Sequence, residues 1–184
     1  MLLATIKNLD IFRPKCDSTK EVLHAIADLE EDISAALPYL NAELGGWDYD
    51  ARNHVLLLKL SAGKWITLHP RQIAIRGCRD IAEAQALVEW IKNQVNEIYE
   101  RRENIPPRYT GQAGLKVMEI LKLLPRTNCR VCGYATCMAY AAALREGETT
   151  WENCPPLKEE KFSGHLARLR EYLDSYGWRA LDEE

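Results

Sequence analysis

Apolar positions in the first hundred residues switch between two periods. Val22, Ile26, Leu29 and Ile33 recur at helical spacing. Ser18-Thr-Lys-Glu21 just before them has the form of a capping box, so a helix is predicted here, closed by Pro38. Met1–Ile11 reads as an opening strand. His54–Leu60 and Lys64–His69 are β-rich runs joined by Ser61-Ala62-Gly63, a loop suited to a hairpin whose final residue is left-handed. Ile73 and Ile75 alternate with Gln72, Ala74 and Arg76 as a short half-buried strand. Asp80 is a good N-cap, and Ile81, Ala84, Leu87, Val88, Ile91, Val95 and Ile98 then form one stripe of a long helix. The predicted order is β-α-(ββ)-β-α. It corresponds to an α+β fold, a small antiparallel sheet with helices on one face.

The prolines and glycines of Glu103–Gly114 break this pattern. They divide the chain into an α+β domain over 1–109 and a small helical domain over 110–184. In the second part Val117, Ile120, Leu121 and Leu124 make one stripe ended by Pro125. Thr136 to Gly147 is an alanine-rich helix, and Phe162, Leu166, Leu169, Leu173 and Tyr176 give a closing helix weakened by Gly164.

Composition narrows the function class. The chain is 47% hydrophobic and 28% charged, which predicts a folded, soluble protein. Its longest apolar runs, Val55–Leu58 and Met138–Leu144, are far short of the roughly 18 residues of a membrane span. Met1–Leu9 lacks the basic start of a signal peptide, which points to the cytoplasm. Net charge is −3, shared almost evenly between the two parts, so no basic face for nucleic acid is expected. Cysteines in such a setting read as metal ligands or free thiols rather than disulfides.

The informative segment is Cys129-Arg-Val-Cys132-Gly-Tyr-Ala-Thr-Cys137, with Cys154-Pro155-Pro156 sixteen residues further on. A single helix followed by a turn near Gly147 can return Cys154 to the first three. Zinc and a [4Fe–4S] cluster both accept four thiolates. Structural zinc usually uses two short knuckles, and here there is one. Three ligands in one loop plus a remote Cys-Pro is the style of a cubane. A dithiol pair at Cys129 and Cys132 would leave Cys137 and Cys154 without a purpose. Cys137 falls in a first helical turn, where free amides favour negative charge. Arg126 and Arg130 flank the loop as solvated cations or as guides for an acidic partner. Val131, Tyr134, Met138 and Leu157 are candidates to shield a bound group. Cys16 and Cys78 read as buried thiols outside the motif. The four histidines have no metal-like spacing, and Tyr39, Trp47 and Tyr49 suggest a loop with apolar contacts.

The run Leu124-Pro-Arg-Thr-Asn-Cys-Arg-Val-Cys-Gly-Tyr-Ala-Thr-Cys-Met-Ala-Tyr-Ala-Ala142, followed by Asn153-Cys-Pro-Pro-Leu157, resembles the four-cysteine [4Fe–4S] domain of the large subunit of the corrinoid iron-sulfur protein. It is similar also to the cluster domain in the B subunit of Rnf electron-transport complexes. The resemblance covers Val117 to Leu157. It implies one [4Fe–4S] cluster on Cys129, Cys132, Cys137 and Cys154, and transfer of single low-potential electrons to a redox partner. A corrinoid protein or a methyltransferase is one such partner. The chain is too short for the barrel and corrinoid-binding domains of that large subunit. It has neither the membrane segment of the Rnf subunit nor a further ferredoxin-type cysteine run. The expected function is therefore electron transfer, without a free-standing catalytic site. The rival readings are an interaction module with a structural metal and an accessory subunit of a corrinoid methyl-transfer system.

Overall fold

The computed structural model describes residues 1–14 and 22–179. It divides into two compact units, Met1–Tyr109 and Thr110–Glu184. The fold is α+β.

The first unit is a six-stranded antiparallel sheet with two helices on one face. Its strands are β1 (Ile6–Phe12), β2 (Leu23–Leu29), β3 (Asp48–Asp50), β4 (Val55–Lys59), β5 (Trp65–His69) and β6 (Gln72–Cys78). Their order across the sheet is β1-β2-β6-β5-β4-β3. The helices are α1 (Leu37–Leu44) and α2 (Ile81–Glu100). Ala25, Ala27, Leu56, Leu58, Ile66, Leu68, Ile73 and Ile75 point into one core with Leu40, Ala84, Val88, Ile91 and Val95 of the helices.

The helix expected from Val22 to Ile33 is instead the strand β2, and His24 lies on it. Its capping-box residues fall outside the described residues, as does Cys16. Both periods are present in this segment. His24, Ile26 and Asp28 alternate with buried Ala25, Ala27 and Leu29. Pairing decides between them, because β2 lies between β1 and β6 and bonds to both. Alanine's helix preference, a few tenths of a kcal/mol, is overridden by two ladders and a buried face. Pro38 does not close a helix. It opens α1, at a position where its missing N–H is not needed. Helix α1 and strand β3 were not anticipated at all.

The opening strand begins at Ile6 rather than Met1. The preceding Leu2 and Leu3 amides donate to Asn96 Oδ1 of α2, each at 2.8 Å, and Leu3 is fully buried. The hairpin from β4 to β5 forms as expected, with both Ala62 (φ 54°) and Gly63 (φ 71°) left-handed. The expected aromatic loop splits: Tyr49 enters the main core, whereas Trp47 lies edge-on to Trp65 with Lys59 4.7 Å above its ring. Cys78 is buried.

Asp80 caps α2 by accepting the Glu83 amide at 2.8 Å. The Glu83 carboxylate accepts the Arg79 amide and pairs with Lys64 at 2.9 Å. These contacts, the Arg79 bond first, hold its carboxyl below the ordinary 4.5. A carboxylate depressed in the native state contributes stability above its unfolded pKa and loses it as pH falls toward the native value. The Glu83→Gln variant should therefore be less stable than the parent at neutral pH, and the gap should close below about pH 4.5. Urea midpoints at both pH values check this. A gap that persists in acid would contradict it.

Among its described residues the second unit has three α-helices: α3 (Val117–Leu123), α4 (Cys137–Glu146) and α5 (Ser163–Ser175). Short 3-10 turns, including Trp151–Asn153 and Pro155–Lys158, connect the last two. Leu115, Ile120, Leu124, Tyr140, Leu144, Leu157, Leu169 and Leu173 form a separate core. Gly164 falls in the first turn of α5, where it weakens the helix less than an interior glycine would. Among the described residues no helix is long and apolar enough to cross a membrane.

Candidate metal centre

The cysteine segment starts where α3 stops, at Leu124 and Pro125. It then runs without regular structure to Thr136, and its backbone is held in an unusual way. Arg126 (φ 55°), Asn128 (φ 48°) and Arg130 (φ 62°) are all left-handed without being glycine, and Gly133 (φ 86°) joins them. Each such arginine costs about 1–2 kcal/mol. Strain of this kind persists only where the surroundings over-determine it, and it concentrates at functional sites.

One of those constraints is visible. The Asn128 side-chain oxygen accepts the Cys137 amide at 2.8 Å, tying the loop to the first residue of α4. Thr136 caps that helix by accepting the Ala139 amide at 3.1 Å, and left-handed Gly147 ends it. Asparagine tolerates the left-handed region and also supplies the acceptor, so its two roles can be separated. Asn128→Gly keeps the backbone and loses the bond. Asn128→Ala loses both and should cost a further ~1 kcal/mol. Urea unfolding of the two variants should rank them in that order; equal stability would show that the left-handed turn carries no strain.

Cys154 returns by way of the turn at Trp151–Asn153, and Tyr140 links its segment to the others. Tyr140 lies one turn after Cys137 on α4 and is buried. Its hydroxyl donates to the Thr150 carbonyl at 2.6 Å, and its ring meets Tyr134 edge-on at 5.5 Å. Loop, helix and returning turn thus share one buried tyrosine. Burial raises its phenol above the ordinary value, with the Cys154 and Cys132 thiolates adding to the effect. Nothing in the sequence pattern singled out Asn128 or Tyr140. An asparagine immediately before a cysteine in a proline-ended loop was the available signal.

The four sulfurs differ sharply in exposure. Cys129 is exposed, Cys132 and Cys137 are half-buried, and Cys154 is buried. Burial raises the Cys154 thiol, and negative charge on Cys132, Cys137 and Cys129 raises it further. The Cys129 thiol is lowered, chiefly by the Val131 amide and then by the Thr127 side chain. The other three cysteines are near enough that charge on them disfavours charge on Cys154. Among the described residues, however, no three His, Cys, Asp or Glu side chains are arranged to hold a single metal ion. A zinc shell would need sulfurs about 3.8 Å apart, from Zn–S bonds of about 2.3 Å at tetrahedral angles. A cubane instead takes each thiolate on a separate iron.

Of the four residues expected to shield the site, Leu157 is buried beside Cys154 and Tyr134 is half-buried. Val131 and Met138 instead face solvent. Arg126 and Arg130 are exposed. His165 meets the Leu123 carbonyl through Nδ1 at 3.2 Å, and no histidine joins the cysteines among the described residues.

Residues 124–156 match the family model described as "Putative Fe-S cluster". The gamma subunit of the acetyl-CoA decarbonylase/synthase complex of Methanocaldococcus jannaschii is 44% identical over 59 residues, which is 32% of this chain and 12% of that subunit. Gamma subunit 2 of the same complex in Methanosarcina mazei is 52% identical over 59 residues, 30% of this chain and 12% of its own length. An uncharacterized protein of Methanocaldococcus jannaschii is 39% identical over 67 residues, 36% of this chain and 30% of its own. The chain thus spans under a third of the length of these relatives. No solved structure matches it. The segment carrying Cys129, Cys132, Cys137 and Cys154 is the one that an iron–sulfur cluster family matches.

Proposed function

We propose that this chain holds one [4Fe–4S] cluster on Cys129, Cys132, Cys137 and Cys154 and exchanges single electrons with a protein partner in the cytoplasm. The observation that carries the reading is that the segment matching an Fe–S family model, residues 124–156, holds Cys129, Cys132, Cys137 and Cys154. Four thiolates suit iron–sulfur ligation.

When bound, the cluster supplies a one-electron couple. The chain's own residues do the rest. Asn128 and Thr136 fix the start of α4 and with it Cys137. Tyr140 holds the turn that returns Cys154. Leu157 is buried in the same core as Cys154 and would help to shield that ligand from water. Helix α4 directs its N-terminal amides toward the first turn, where Cys137 sits and where negative charge is favoured.

The unit Met1–Tyr109 is proposed as a separate domain that recognises the partner. The relatives' names place them in an acetyl-CoA decarbonylase/synthase complex, so a protein of such an assembly is the first partner to test. A corrinoid protein or a methyltransferase is the class implied by the resemblance of the cysteine segment. The test is anaerobic purification with iron and sulfide analysis and EPR after dithionite. Iron and sulfide in equal amounts, with a reduced-cluster signal, is the expected result. Stoichiometric zinc without iron would overturn the reading in favour of a structural metal.

A further inference from the structure

Resting on that cluster reading, we propose that Cys129 holds an exchangeable iron. Oxidation releases ferrous iron from that corner alone, leaves a three-iron cluster on Cys132, Cys137 and Cys154, and turns the corner into a site for a divalent cation. The four thiols are unequally set. Cys154 is 6% exposed and belongs to the core of the second unit with Leu157 and Tyr140. Cys132 and Cys137 are half-buried and pack against that core. Cys129 is exposed and is no part of it. A group bound by all four therefore reaches from the core toward solvent, and its Cys129 corner lies nearest water.

Backbone anchoring follows the same order. Cys137 opens α4, with its amide held by Asn128 and the helix capped by Thr136. Cys154 joins the 3-10 turns Trp151–Asn153 and Pro155–Lys158, and the Tyr140 hydroxyl holds the Thr150 carbonyl just before the first of them. Cys129 and Cys132 lie in no regular element, and of these two only Cys132 packs against the core. The cost of vacating a corner differs in the same sense. Iron that leaves Cys154 leaves a thiolate in an apolar core, where unpaired charge is expensive. Iron that leaves Cys129 leaves a thiolate in water, with the Val131 amide and the Thr127 side chain donating to its sulfur. Oxidants also reach an iron through solvent, and the apolar shell of a site controls that access. In the release, a one-electron oxidant takes one electron from the cluster. The iron at Cys129 departs as Fe2+, its bonds to sulfur break, and the Cys129 sulfur keeps its electron pair as a thiolate. The [4Fe–4S]2+ form thus becomes [3Fe–4S]+, with one electron and one Fe2+ lost. An electron and a divalent cation reverse the step.

The test treats the anaerobically purified full chain with ferricyanide, the one-electron oxidant, and then alkylates it with iodoacetamide. One iron in four should leave, and a three-iron EPR signal should appear in the oxidised protein. Mass spectrometry should find new alkylation on Cys129 and none on Cys132, Cys137 or Cys154, since exposed thiolates react and buried thiols do not. In a portion left unalkylated, ferrous iron with dithionite should restore the fourth iron. Cys129→Ala should carry the three-iron cluster as isolated. The alkylation pattern comes from the parent and decides the matter even where that variant does not fold. Alkylation of another of the four first, equal alkylation of all four with complete loss of iron, or a cluster that keeps all its iron through oxidation would overturn the proposal. So would a full four-iron content in Cys129→Ala. A parent isolated without iron would overturn the cluster reading instead, so the two failures are distinguishable.

Discussion

Cys154→Ala is expected to strip the iron from the chain and to loosen the helical unit around it. Two effects combine at this position. The first is packing: Cys154 is buried with Leu157, Tyr140 and Leu144, and deleting its sulfur leaves a small cavity costing about 1 kcal/mol. The second is ligation, and it is larger. Metal binding free energy is folding free energy wherever the empty site is unstable. In the empty site burial, and then charge on the other three cysteines, disfavours the Cys154 thiolate, the form that a metal takes. Iron and sulfide per chain should fall to near zero in Cys154→Ala, whereas Cys78→Ser should retain the parent content. Iron retained in full by Cys154→Ala would show that the fourth ligand lies elsewhere.

Cutting the chain after Tyr109 should yield one fragment that folds without iron and one that does not. The expectation rests on the two cores. The first joins Leu3 to Ile105 through a six-stranded sheet and two helices, and none of its residues comes from the cysteine unit. The second is smaller, and four of the residues within it or packed against it are Tyr134, Cys132, Cys137 and Cys154. Units below roughly 70–80 residues seldom stabilise themselves by apolar burial alone and lean on metals or disulfides. The fragment Met1–Tyr109 should melt cooperatively in circular dichroism with or without chelator. The fragment Thr110–Glu184 should lose its helical signal when iron is withheld. An unfolded first fragment would refute the division into domains. A second fragment that melts cooperatively without metal would show that the thiols are not needed for its fold.

Local chemistry was readable wherever one or two adjacent residues decide the outcome. Asp80 before Ile81 is the N-cap that its residue type predicts, Thr136, read as the first helical residue, is the N-cap of α4, and Gly147 ends α4 because it enters the left-handed region without a Cβ penalty. The hairpin at Ser61–Gly63 was readable for the same reason. The segment Leu23–Leu29 was not. Its apolar residues satisfy a helical period and a strand period together, and the choice belongs to β1 and β6, which bond to it from both sides. Pro38 was misplaced because proline stops a helix it follows and starts one it enters. Only the chain's return to the sheet at β3 and β4 tells the two apart.

The same division holds at the cysteines. Spacing alone marked out Cys129, Cys132, Cys137 and Cys154 as the expected set, and residue type alone put Cys137 in the first turn of a helix that ends at Gly147. These are properties of chain length and local dihedral preference. Tertiary structure decided what spacing does not encode: that Cys154 is buried and Cys129 exposed, that Asn128 binds the Cys137 amide, that Tyr140 clamps Thr150, and that Val131 and Met138 face water. Burial depends on which distant apolar residues arrive at a given side, and Leu157, Leu169 and Leu173 share the core in which Cys154 is buried and against which Cys132 and Cys137 pack. The asymmetry of the site follows from that packing, and periodicity along the chain carries no record of it.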